Sequence, residues 1–142
     1  MVHVNESAAR PFSLPVRVYF EDTDAAGVVY YAGYLRFLER GRTEWLRALG
    51  IEQQRLAEET GVAFAVRSLG VEYLRAARLD DALMVITELA SLGHAQALFH
   101  QRIERAGERL VEATVRVACI DARRLKPIAL PKDISKKMGT PA

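Results

Sequence analysis

The sequence predicts an α+β domain in which a five-stranded antiparallel sheet wraps partly around one long central helix. Three observations carry that expectation. Between Tyr30 and Leu49, the residues Tyr34, Leu35, Leu38, Gly41, Arg42, Trp45, Leu46 and Leu49 recur at three- and four-residue spacing, the period of one helical face. After Gly61 the chain reads as four apolar-alternating stretches broken by turn residues, with no second long helix among them. The 142 residues fill a single core, so helix and strands must pack on each other.

Each element follows in order. Residues 1–13 are polar and read as a loose arm, and no apolar block in them suggests a signal peptide. Leu14–Phe20 alternates Val16, Val18 and Phe20 with Arg17 and Tyr19, a half-buried strand, and Glu21–Gly27 reads as a turn. The long helix carries Arg36, Glu39, Arg40, Thr43, Glu44 and Arg47 on its other faces, where Arg40→Glu44 and Glu39→Arg42 pairs are expected. Gly50 caps it, and Gly41 inside the apolar stripe implies a close neighbour, the sheet being the obvious one. A shorter helix, Ile51–Thr60, ends at Gly61. Strands are expected at Val62–Arg75, Ala82–Leu89, Ala95–Arg105 and Leu110–Asp121, joined by tight turns as a meander. The last alternates Val111, Ala113, Val115, Val117 and Cys119 on one face. A sheet with one covered face and open edges invites pairing with a second copy, so a homo-oligomer, a dimer or a dimer of dimers, is the expectation.

Composition excludes several functions. The net charge of +2 is too small for nucleic-acid binding driven by phosphate neutralisation. It divides unevenly, because residues 122–142 hold six Lys and Arg against one Asp and form a basic tail. The single Cys119 rules out a disulfide framework and points to a reducing, cytoplasmic setting. The longest uncharged run, Ala25–Leu35, is far short of the roughly 20 residues of a membrane span. His3, His94 and His100 have no metal-ligand spacing, and the common nucleophile, phosphate-loop and dinucleotide signatures are lacking. No metal or cofactor is expected.

The distinctive stretch is Glu21-Asp22-Thr23-Asp24-Ala25-Ala26-Gly27-Val28-Val29-Tyr30-Tyr31. Aspartates favour turns and caps, and most closely spaced pairs are only that. A carboxylate in an apolar setting is nevertheless a stronger base and nucleophile. Beside it, unpaired N–H groups at a helix start bind a developing oxyanion. A carboxylate and an oxyanion site a few residues apart suffice for attack on an activated carbonyl.

The order strand, DTDxxGVVY, YxxYLRFLERxRTEWL, VRSLGVEYLRAARLDD and VACIDARRLKPIALP resembles the hotdog-fold acyl-CoA thioesterases, above all the YbgC type associated with the Tol–Pal system. It is more distantly similar to 4-hydroxybenzoyl-CoA thioesterase. The likeness runs from about Leu14 to Ile134. It implies a thioester hydrolase in which Asp24, the second Asp of the motif, is nucleophile or general base, and the backbone N–H at Tyr31 polarises the carbonyl. Gly27, Val28 and Tyr30 are then candidate substrate contacts, acyl-CoA or an acyl carrier protein is the substrate partner, and the pantetheine arm lies between subunits.

Two departures qualify the likeness. Tyr31 stands where the YbgC type has His and the hydroxybenzoyl branch has Tyr, which leaves aliphatic and aromatic acyl groups both open. The turn Ser91-Leu92-Gly93-His94 lacks the cations that hold phosphates in the hydroxybenzoyl branch, leaving Arg75, Arg78 or the Arg123-Arg124-Lys126 cluster as candidates. A hotdog module that binds acyl-CoA without turnover is the alternative, against which Asp rather than Asn, Gly or Ala at position 24 argues.

Overall fold

The computed structural model describes residues 2–3 and 11–139. In chain order it comprises β1 (Val2–His3), β2 (Phe12–Arg17), α1 (Tyr31–Ala48), α2 (Gln53–Thr60), β3 (Val62–Tyr73), β4 (Ala82–Leu92), β5 (Gln96–Arg105), β6 (Glu108–Asp121) and α3 (Lys132–Met138). All strand pairs are antiparallel, and β1 and β2 share one flank of β4, so the sheet is five strands wide. It is not a simple meander. The hairpins β4–β5–β6 are consecutive, but β3 pairs with β6 on the far edge. Residues 74–81 are too long for a tight turn and cross from that edge to β4, passing beneath the start of α1, where the Val29 N–H donates to the Ala77 carbonyl.

α1 starts where Tyr30 adopts extended backbone (φ −63°, ψ 141°), and it ends before Gly50, whose φ of +83° any side chain would strain. Its buried stripe of Tyr34, Phe37, Leu38, Trp45 and Leu46 packs on Val85, Leu89, Phe99, Ile103 and Val115 of the sheet. Trp45 meets the edge of Phe99 with ring centroids 5.3 Å apart. Gly41 explains itself here: a Cβ on it would lie 2.8 Å from both Thr87 Oγ1 and Val85 Cγ1. Beside that contact Gln101 Nε2 donates to the Leu38 carbonyl and to Thr87 Oγ1, each at 2.9 Å, pinning the helix to the sheet. The Val111-to-Cys119 face of β6 is buried as expected, and burial raises the Cys119 thiol, which suits an inert core sulfur rather than a nucleophile.

Several boundaries and pairings differ from the sequence reading. The first strand is Phe12–Arg17, not Leu14–Phe20, because Asp22 Oδ2 accepts the Tyr19 N–H and folds Phe20–Asp22 into a 3-10 turn. The arm is not loose where described, since Val2 and His3 pair with Leu92 and Ser91, while residues 4–10 lie outside the described residues. The basic tail forms α3, anchored by buried Ile134 and Met138, with residues 140–142 outside the described residues. Arg42 turns to Gln101 Oε1 (2.9 Å) instead of Glu39, and Glu44 pairs with Arg47 (3.4 Å) instead of Arg40, which sits over the Phe37 ring. No helix of the described residues is long and apolar enough to cross a membrane.

Candidate active site

The loop Asp22–Tyr30 closes on itself before α1 begins. Thr23 and Val29 form an antiparallel bridge, the Asp24 N–H donates to the Val28 carbonyl (2.9 Å), and the Gly27 N–H donates to the Asp24 carbonyl (3.0 Å). That last bond makes Asp24–Gly27 a β-turn, and Gly27, its last residue, takes left-handed backbone at φ +78°. The Asp24 carboxylate accepts the Ala26 N–H on Oδ1 at 2.8 Å, which fixes its direction. No described residue donates to Oδ2 in the hydrogen bonds of the structure. Asp24, Ala25 and Ala26 are all exposed, so the apolar residues of the motif do not enclose the carboxylate within one chain.

The loop is held from below by the β3–β4 connection. Val28 bridges Arg78, and the buried Tyr34 hydroxyl accepts the Ala77 N–H at 2.9 Å. That connection is itself clamped at Asp81. Burial pushes the Asp81 carboxyl up, but the Arg78 N–H and the Arg105 guanidinium (2.7 Å) outweigh it and hold it below the ordinary range. Asp22 shapes the entrance turn by accepting the Tyr19 N–H at 2.8 Å.

Tyr31 is the first residue of α1, and no side chain caps the helix there. Its carbonyl accepts a hydrogen bond from the Tyr73 hydroxyl at 3.0 Å, a tie between the helix start and the end of β3 that the sequence reading missed. Burial and the neighbouring Tyr31 and Tyr34 rings raise the Tyr73 phenol, so it remains a donor at neutral pH. The Tyr30 and Tyr31 rings meet at a tilt with centroids 4.3 Å apart, as do Tyr34 and Tyr73 at 5.5 Å, and Tyr31, Tyr34 and Tyr73 line a shallow cleft with Val29 and Leu74. The structure thus brings Asp24, Gly27, Val28, Tyr30 and Tyr31 into one loop-and-helix junction. Tyr73 carried no signal beyond its alternation with Val71, a pattern that fits core equally well.

Elsewhere an apolar cavity of about 110 Å³ lies between α1, the sheet and α3, walled by Leu46, Phe64, Val66, Ala97, Phe99 and Met138. Glu39, Arg42 and Thr43 form its polar rim. Of the phosphate candidates, Arg75 pairs with Glu108 (3.6 Å), Arg78 is exposed beside the Asp24 loop, and Arg123, Arg124 and Lys126 are exposed beyond the end of β6. Among the described residues no three His, Cys, Asp or Glu side chains gather as a metal site.

The family model of the thioesterase-like superfamily matches residues 18–138. The chain is 54% identical over 123 residues to the acyl-CoA thioesterase YbgC of Haemophilus influenzae, covering 87% of this chain and 90% of that one. It is 52% identical over 124 residues to the acyl-CoA thioester hydrolase YbgC of Escherichia coli, covering 87% and 92%. Among solved structures, a probable thioesterase from Bartonella henselae superposes with a TM-score of 0.81 at 37% identity, covering 86% of this chain and 100% of that one.

Proposed function

The chain belongs to the thioesterase-like superfamily, has the hotdog fold and is a thioester hydrolase, and from that premise we propose that it hydrolyses acyl-CoA with Asp24 as general base. One observation carries the residue assignment: a carboxylate with one oxygen fixed by the Ala26 N–H and the other open, in the loop that leads into the uncapped start of α1. In this reading Asp24 takes a proton from water as the hydroxyl oxygen bonds to the thioester carbon. The carbonyl oxygen becomes an oxyanion facing the Tyr31 N–H and the positive end of the helix dipole. The C–S bond then breaks, and the thiolate leaves with the proton held by Asp24. A thioester is already activated, so these groups suffice without a cofactor.

Gly27, Val28 and Tyr30 would border the acyl carbonyl, and the exposed Arg78, bridged to Val28, is a cation beside the loop for the phosphates. The exposed Lys132 and Lys137 on α3 favour a second substrate form, an acyl group on an acidic carrier protein. The buried, lone Cys119 fits a cytoplasmic setting.

The test is thiol release from short, long and aromatic acyl-CoAs by the native chain and by Asp24→Asn. We expect the variant to fold normally and to lose about 10²- to 10⁴-fold in kcat, the range for a positioned acid–base group. Equal rates in the two proteins would remove Asp24 from the reaction, and no release by the native chain from any of these esters would favour a binding module.

A further inference from the structure

We infer that the hairpin tip Arg123-Arg124-Leu125-Lys126 docks the protein on an anionic lipid bilayer, with Leu125 entering the acyl region and its flanking cations held among the headgroup phosphates. The docking is independent of the residue that carries the hydrolysis. The tip is built at the end of β6. Ile120 pairs with Pro127, the Asp121 N–H donates to the Lys126 carbonyl (2.9 Å), and the Leu125 N–H donates to the Asp121 carbonyl (2.7 Å). Inside the turn, Asp121 Oδ1 accepts the N–H groups of Arg123 and Arg124, each at 2.9 Å. Those two bonds hold the Asp121 carboxyl below the ordinary range, so the one acid of the turn is taken up by its backbone.

Leu125 is the residue that the fold does not explain. Its φ of +58° lies in the left-handed region, where glycine sits freely and a side chain as bulky as leucine is strained. The other non-glycine residues described there are Asp80 and Ala106, an aspartate that tolerates this backbone and an alanine that carries one methyl. Burial does not offset the strain at Leu125. It is 71% exposed, more than any other large apolar side chain described except Phe20 at 83%. A leucine strained by its backbone and presented to water has its use outside the folded chain.

What surrounds it is cationic. Arg123, Arg124 and Lys126 are exposed and enter no ion pair among the described residues, whereas Arg47, Arg55, Arg75, Arg105 and Arg109 each hold a carboxylate. Farther along, α3 buries Ile134 and Met138 and leaves Lys132 and Lys137 exposed, with Lys132 at most about 20 Å of extended chain from Lys126. Residues 122–142 hold six Lys and Arg against one Asp, so this end carries +5 of the total +2 and the rest of the chain −3. An anionic surface attracts this end and repels the other, and the molecule arrives tip first. A protein partner would need a pit matched to a single apolar apex. A bilayer needs none, because the headgroup layer takes the cations and the acyl layer beneath takes the leucine. One inserted side chain and a few cations make the contact peripheral, reversible and sensitive to salt.

Co-sedimentation of the full chain with vesicles tests this. The native protein should pellet with phosphatidylcholine vesicles carrying about 30% phosphatidylglycerol at about 0.05 M salt, and stay in solution with pure phosphatidylcholine or at about 0.5 M salt. Leu125→Gly relieves the backbone and removes the apex. It should fold at least as well, keep its thiol release from a soluble acyl-CoA, and lose about tenfold in vesicle affinity. Arg123→Glu combined with Arg124→Glu should lose about 100-fold or more, at roughly fivefold for each unit of charge changed. Insertion is read separately. Trp45 is the chain's only tryptophan and is buried, so in Leu125→Trp a blue shift on adding anionic vesicles, quenched by brominated lipid, reports position 125. Binding without that shift, equal binding to neutral and anionic vesicles, no binding at all, or a Leu125→Gly chain that binds as the native does would each overturn the inference. A fall in thiol release by Leu125→Gly would place Leu125 at the substrate instead. A Leu125-dependent complex with a soluble acidic protein, in place of vesicle binding, would likewise overturn it and assign the tip to a protein partner.

Discussion

The Tyr73 hydroxyl is a small group with a large lever. It donates to the carbonyl of Tyr31, whose N–H faces the proposed oxyanion, and it reaches that carbonyl from the far edge of the sheet. We predict that Tyr73→Phe lowers kcat with little change in KM, because it loosens the helix start without removing a substrate contact. A net hydrogen bond is worth about 0.5–1.5 kcal/mol, which corresponds to a rate loss of roughly 2- to 12-fold. Steady-state kinetics on the native chain's best acyl-CoA decide it, and a rise in KM at constant kcat would assign Tyr73 to binding instead. At this scale the sequence was legible where local chemistry dictated structure. Asp22, Asp24 and Gly27 form the turn that their types demand, whereas Tyr73 acts across 42 residues of sequence, a separation that no local pattern encodes.

At the scale of elements, Gly41 is the position where helix and sheet approach most tightly. Alanine there gains about 1 kcal/mol of helix propensity, but its Cβ would meet two buried sheet side chains at 2.8 Å and crowd the Gln101 amide at 3.1 Å. Overpacking of a filled core costs about 1–3 kcal/mol, and two contacts at 2.8 Å put this site in the upper half of that range, so the clash wins. Urea unfolding of Gly41→Ala should show a net loss of about 1–2 kcal/mol at an unchanged m-value, and equal stability would mean that α1 can slide. Periodicity revealed this contact because a glycine within an apolar stripe weakens the helix, a loss that close packing against its backbone offsets. Alternation revealed the strands in the same way, through the period of one buried face. Neither pattern revealed that β3 lies beside β6, since pairing order depends on where residues 74–81 run, and those residues are held by long-range bonds to Val29, Tyr34 and Leu110. The altered ion pairs on α1 have a similar cause: Gln101 in the sheet outcompetes Glu39 for Arg42.

At the scale of the whole molecule, the question is what completes the site. One chain supplies a base that is open to solvent, a cleft of exposed tyrosines and a cavity two helical turns or more away. Its free β3 edge runs past both. If that edge pairs with a second copy, as the open sheet leads us to expect, assembly and activity should fail together while the fold of each chain survives. Leu69→Glu separates the two. Its side chain is 45% exposed in the single chain, and a glutamate there costs the monomer little. In an antiparallel dimer centred on the middle of β3 it would be desolvated opposite Val66 of the second copy without a counter-charge, a penalty of several kcal/mol repeated at both symmetry-related positions. Light scattering should therefore report a monomer with native far-UV circular dichroism, and thiol release should fall to the level of Asp24→Asn. An active monomer would show that each chain builds its site alone, whereas an inactive dimer would place Leu69 in the chemistry rather than in the assembly.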